Sequence, residues 1–223
     1  MAKNVNFTRD EVILALDVLY NSNAEHLGAK SKEIIDLSEL LNALPIYPKD
    51  VRPENFRNCT GVSHQISHFR SGYSHEENAW NVGSLFFRIN QEFKQNNLDL
   101  HETAEAIRKN RELFDKFPFG SNDEATGFPE GELLGHLHRV LENRYGSKIP
   151  KESRCSICKI DLSRVYSCGV DLLHNHLMVP LNQLDGETKY TANDFITVCP
   201  NCHEALHRRR PWVTKRNYEE ILR

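Results

Sequence analysis

Cys155-Ser156-Ile157-Cys158 and, about 40 residues later, Cys199-Pro200-Asn201-Cys202-His203-Glu204-Ala205-Leu206-His207 are the stretches on which the fold turns. Each C-x-x-C turn can aim two thiolates at one ion, and four thiolates complete the tetrahedral shell of a structural Zn²⁺. Cys155, Cys158, Cys199 and Cys202 are therefore the expected zinc ligands. A redox pair needs one such motif at the mouth of a βαβ unit, and here two occur with no such unit around them. Disulfides are the weaker reading, because the chain is expected to be cytoplasmic. The start, MAKNVNFTRDEV, has no apolar signal core, and no run approaches the roughly 18 apolar residues of a membrane span. Cys59 and Cys168 lack partners of suitable spacing and are expected to be free thiols in the core.

Histidines gather around the knuckles. His203 and His207 stand four apart, so on a helix they share a face and can hold one cation or phosphate together. They do not suit the zinc itself, because Cys202 already fills that role and its neighbour points elsewhere. His174 and His176, in Leu173-His174-Asn175-His176-Leu177-Met178-Val179-Pro180, lie between the knuckles. One closed and one open metal site are implied. His26, His75, His101, His136 and His138 read only as isolated surface or core residues.

Upstream, the pattern is helical. Thr8 to Glu11 forms a capping box before Val12, Ile13, Leu16, Leu19 and Tyr20 on one face. A second helix is predicted from Ser31 to Leu44, stopped by Pro45 and Pro48. Val62, Ile66 and Phe69 then make a thin apolar stripe, leaving Ser63, His64, Gln65, Ser67, His68 and Arg70 on the opposite arc. That is what a helix-turn-helix reader offers a DNA groove, and equally what a surface helix touching nothing looks like. Further helices are expected around Leu85 to Phe93, Ala104 to Phe114 and Glu132 to Arg144, with Gly146 as terminator. Asp115 to Gly131 reads as a linker. The fold class expected is mainly α with a small α+β module. Residues 1–117 would form a helical domain suited to DNA recognition, 118–149 a linker plus amphipathic helix, and 150–223 a zinc-bound domain.

The stretch from Cys155 to His207 resembles an HNH (ββα-metal) nuclease module of the zinc-bearing subtype found in McrA-like restriction endonucleases. FTRDEVILALDVLY, IIDLSELLNAL and FRNCTGVSHQISHF are similar, more loosely, to a domain preceding such modules. The resemblance implies that His176 is the general base and that His174 or Asn175 is a ligand to the catalytic cation. It makes His203 and His207 the ligands on the helix, and Asp194 the residue steadying the base-bearing loop. The family places its base three residues before the proline, where this chain has Leu177, and His176 lies four before Pro180. Either the strand bulges by one residue, restoring His176 with Asn175 as its metal-binding neighbour, or the base has been lost. The bulge is the preferred reading because the helix histidines persist.

The implied activity is hydrolysis of DNA phosphodiesters, leaving 5′-phosphate and 3′-hydroxyl ends. Mg²⁺, or the Mn²⁺, Co²⁺ or Ni²⁺ that imidazoles tolerate, would be the catalytic ion. The chain carries 28 basic and 31 acidic residues, a net charge of -3, so no global basic coat exists. Residues 151–223 nonetheless hold 11 basic against 9 acidic residues. Arg208, Arg209, Arg210, Lys215 and Arg216 follow His207 as candidate phosphate clamps, the plain alternative being a solvated basic helix end. The expected partner is double-stranded DNA, in restriction or defence and with modified DNA as one candidate target. Homodimerisation would supply a second centre for the second strand. Two other readings stand beside it: a zinc-stabilised DNA-binding protein with a degenerate HNH site, and an RNA-directed nuclease or toxin. The last is disfavoured by the lack of an aromatic platform for unstacked bases.

Overall fold

The computed structural model describes residues 6–22, 27–74, 85–94, 96–114, 132–210 and 212–222. The linker expected at Asp115 to Gly131, with its boundary near residue 118, and His26 and His75 lie outside the described residues. The chain divides into two compact units, the second running from Leu134 through the C-terminal segment. The described residues are mainly helical, with a two-stranded antiparallel sheet.

The first unit is built of amphipathic helices. α1 (Arg9–Asn21) begins at Thr8, whose backbone N–H donates to the Glu11 carboxylate at 2.8 Å. Glu11 is itself buried and meets the Arg57 guanidinium, with Nη2 2.9 Å from Oε2. α2 (Lys32–Ala43) buries Ile34, Leu37 and Leu41, and Leu44 follows them inward at its C-cap. α3 (Cys59–Ser74) turns Val62, Ile66 and Phe69 into the core, where the Phe69 ring stacks on Phe86 with centroids 4.2 Å apart. α4 (Leu85–Phe93), α5 (Asn97–Lys109) and the short α6 (Arg111–Phe114) close this core with Ile89, Leu100, Ile107 and Phe114. Each such side chain contributes roughly 1.5–3 kcal/mol by leaving water.

Two expectations change here. Ser63 is not on the exposed arc of α3: it is buried, and its hydroxyl donates to the Leu27 carbonyl at 2.7 Å. The position is one step from the Val62 stripe, and the chain near Leu27 covers it. Cys59 is half-buried and Cys168 is exposed, so neither is a core thiol.

In the second unit, α7 (Leu133–Gly146) precedes β1 (His174–Leu177), β2 (Phe195–Val198) and α8 (Pro200–Arg208). β1 and β2 pair antiparallel, His174 opposite Val198 and Leu177 opposite Phe195. The expected bulge is absent. The pairing runs without interruption through β1, and beyond it the Met178 N–H donates to the Asp194 carbonyl at 2.7 Å. A regular strand alternates its faces, so His174 and His176 share one face and Asn175 takes the other. Ile157, Leu162, Leu173, Val198, Leu206 and Val213 pack around the buried cysteines as one small core. Gly169 and Gly146 permit its close approaches. A Cβ at Gly169 would lie 2.3 Å from the Leu162 carbonyl carbon, and one at Gly146 would lie 3.0 Å from the Asn175 oxygen.

Candidate metal centres

The first knuckle is a tight turn. The Cys155 carbonyl accepts from the Lys159 N–H at 3.0 Å, the Cys155 N–H donates to the Ile160 carbonyl, and Lys159 itself sits at φ 62°. The Ser156 N–H ties this turn to β2 through the Thr197 carbonyl at 2.8 Å. The second knuckle uses a helix start: Cys199 is the N-cap of α8, Pro200 occupies its first position, and Cys202 lies within the first turn. The four Sγ atoms lie within 4.8 Å of one another, with Cys158 and Cys199 3.7 Å apart. A tetrahedral Zn²⁺ with Zn–S of about 2.3 Å requires S···S edges of about 3.8 Å, so this group can hold a metal such as zinc. Burial works to raise the Cys155 thiol, but the backbone N–H groups of Cys199, Cys158 and Ile157 outweigh it and bring it to about 7. That favours the thiolate a metal needs.

A second group forms where β1 faces α8. His176, His203 and His207 converge with Glu142 of α7, their ligand atoms again within 4.8 Å of one another. Glu142 Oε1 is 2.8 Å from His176 Nδ1, and its Oε2 is 2.9 Å from His203 Nε2 and 3.3 Å from His207 Nε2. The two helix imidazoles approach to 3.1 Å through their Nε2 atoms. His176 is fully buried, His207 and Glu142 nearly so, and His203 forms the partly open edge. Burial lowers His176, and it lowers His207 to about 4. Glu142 would be raised by burial, but the three imidazoles hold its carboxyl well below the usual range. The group therefore presents neutral imidazoles at His176 and His207 beside one carboxylate, the protonation states that bind metal.

Sequence reasoning missed Glu142 and set His138 aside. His138 is fully buried on α7, its Nε2 is 2.7 Å from the Leu177 carbonyl, and its ring lies 5.2 Å from His176 and 4.8 Å from Trp212. The available signal was the row Leu134, His138, Glu142, spaced four apart along the apolar side of the helix.

The remaining expected site residues are placed as follows. His174 is exposed and stacks on His203 with centroids 4.7 Å apart and planes 2° from parallel. Burial of its inner part, with His203 beside it, lowers its pKa. Asn175 does not join the cluster: its amide donates to the Gly146 and Ile149 carbonyls, and its oxygen accepts from the Thr197 hydroxyl at 2.8 Å. Asp194 closes the turn before β2 by accepting from the Thr191 N–H at 2.8 Å. Arg208 is exposed and pairs with Glu204 on its own helix, while Arg209, Lys215 and Arg216 are exposed. Arg210 caps α8 through the His207 carbonyl at 2.8 Å and lies over the Trp212 ring. In the first unit His64 and His68 are exposed, and Gln65 and Arg70 half-buried. A third acidic group there, Asp17 with His101 and Glu105, is already met by Arg108.

The chain matches no known family model, no curated protein and no solved structure. Among the described residues, no helix is long and apolar enough to cross a membrane.

Proposed function

We propose that this chain is a metal-dependent DNA endonuclease of the HNH (ββα-metal) type, its four cysteines a structural zinc site and its Glu–His group the seat of the catalytic ion. The observation that carries the reading is the meeting of His176 from β1 with His203 and His207 from α8, directly beside the cysteine cluster. A divalent ion there would stabilise charge on the phosphate and on the leaving oxygen.

The uninterrupted pairing of β1 supports a different reading of the remaining roles. His176 is enclosed by the cluster and serves as a ligand, whereas His174, on the same strand face and open to solvent, is the imidazole able to reach a water. With its pKa lowered it is neutral at physiological pH, so it takes a proton from water as the water oxygen bonds to phosphorus. The P–O3′ bond then breaks, and the 3′ oxygen leaves to be protonated from solvent. Arg139 on α7, 3.8 Å from Glu204, adds fixed positive charge near the site. Arg209, Lys215 and Arg216 are the side chains available to grip the duplex backbone. His64, Gln65, His68 and Arg70 on α3 are the candidates for choosing the target. Cutting both strands calls for a second copy of the chain.

A second reading, a DNA-binding module that does not cut, has one specific observation in its favour. Leu177, three residues before Pro180, is fully buried in a strand with no bulge. Incubation of plasmid DNA with Mg²⁺, Mn²⁺, Co²⁺ or Ni²⁺ against an EDTA control separates the two. Nicked or linear product is expected, with His174→Ala slowing cleavage by about 10²–10⁴-fold at unchanged metal content. Cleavage by His174→Ala at the wild-type rate overturns its role as base. Intact DNA from metal-loaded wild type, on both modified and unmodified substrates, overturns the enzyme reading, and a gel-shift titration of the same protein then tests DNA binding.

A further inference from the structure

The ligand set of the second centre extends beyond the strand and helix that the sequence motif supplies. We infer that Glu142 of α7 is a metal ligand, and that Glu142, His176, His203 and His207 together form a site for an imidazole-preferring transition-metal ion rather than for Mg²⁺. The inference concerns the same site as the nuclease reading and rests on it only for the function of the ion.

Three observations carry it. The first is spacing: Glu142 reaches His176 through Oε1 at 2.8 Å and the helix pair through Oε2 at 2.9 and 3.3 Å, and the two helix imidazoles lie 3.1 Å apart. One ligand atom from each of the four residues falls within 4.8 Å of the others, close enough for one shell with a two-oxygen carboxylate. With metal–ligand distances of 2.0–2.1 Å, the edges of such a shell are about 2.9 Å for an octahedron and about 3.4 Å for a tetrahedron. The second is His176. Its ring is wholly buried, its Nε2 has no hydrogen-bond partner, and its Nδ1 meets Glu142 Oε1 at 2.8 Å out of hydrogen-bond alignment. A buried imidazole lacking hydrogen-bond alignment with a carboxylate this close has a donor atom suited to an ion. The third is rigidity. The Leu177 N–H donates to Glu142 Oε1 at 3.0 Å, so the carboxylate is fixed to the strand that carries His176.

The donor chemistry selects the ion. Mg²⁺ is a hard ion that keeps several waters and takes carboxylate and phosphate oxygens, whereas three imidazoles and one carboxylate suit Zn²⁺, Mn²⁺, Co²⁺ or Ni²⁺. Only the His203 edge is partly open, so any additional coordination position faces that side.

Elemental analysis of the full-length protein after dialysis against Mg²⁺ is the test. Wild type should retain two transition-metal ions per chain, and Glu142→Gln and His207→Ala should each retain one. Wild type with a single ion, or Glu142→Gln with two, overturns the inference. Zinc-edge X-ray absorption of zinc-loaded wild type needs no variant. Equal numbers of sulfur scatterers near 2.3 Å and nitrogen or oxygen scatterers near 2.0–2.1 Å are expected, and sulfur alone overturns the inference. Metal content is read without DNA, so a protein that binds two ions and cuts nothing retains this site and loses only the nuclease reading.

Discussion

Asp10 shows how far one side chain can stand from its ordinary behaviour. It is fully buried, and burial, with the Glu132 charge beside it, pushes its pKa up to about 8, even though the Leu133 N–H and Arg9 work against the rise. The folded protein thus binds a proton there more tightly than the unfolded chain, whose carboxyl titrates near 3.8. Stability from this group is complete below about pH 4 and is lost as pH rises through 8. Asp10→Asn retains an acceptor for the Leu133 N–H and cannot ionise. It should stabilise the protein at pH 8 by about 1–3 kcal/mol and change little at pH 4, as thermal melts at the two pH values would measure. Nothing in the pattern around Thr8-Arg9-Asp10-Glu11 marks Asp10 as buried. An acid in the first turn of a helix ordinarily faces water, and only tertiary packing encloses this one. Glu142 escaped notice for a related reason: a glutamate in an amphipathic helix is unremarkable until β1 is laid against it. The cysteines were legible because a metal turn imposes its spacing locally, and His203 with His207 because helical periodicity alone puts them on one face.

Among the elements, the helices of the first unit were readable from periodicity, since each buries a stripe and needs no distant information to do so. α1 begins where expected because its capping box, Thr8 with Glu11, is a local device, and α2 lies within a residue of the expected Ser31 to Leu44. β1 was harder. Four residues carry no decisive period, and the placement of Pro180 suggested a bulge that the pairing with β2 does not contain. The end of α7 is fixed by a contact that composition hardly signals: a Cβ at Gly146 would lie 3.0 Å from the Asn175 backbone oxygen and 3.2 Å from the Phe195 ring. Gly146→Ala should force this junction apart and cost about 1–3 kcal/mol, read from chemical denaturation. Asn175→Ala, which removes the donor to the Gly146 and Ile149 carbonyls, acts on the same junction, so the double variant should be less destabilised than the two single costs combined.

For the molecule as a whole, the second unit has a thin apolar core threaded through its thiols: Cys155, Cys199 and Cys202 belong to the same cluster as Leu206 and Val213. In a unit of this kind, metal binding and folding are largely the same free energy. Cys158→Ser or Cys202→Ser should release the cysteine-bound ion and melt the second unit, while the first unit, whose core contains no cysteine ligand, keeps its helical signal. Circular dichroism with metal analysis would detect this, and unchanged stability with the three remaining zinc-site thiols free would contradict it. α8 joins the two groups. Cys202 and His203 are neighbours on it, so an ion on the thiolates fixes the helix that carries the imidazole pair, and the entropy of ordering those side chains is lost before the second ion arrives. On the proposed two-site reading, each ion would raise the affinity of the other by the same factor, so a cysteine variant that loses the sulfur-bound ion should also weaken metal retention at the imidazole group.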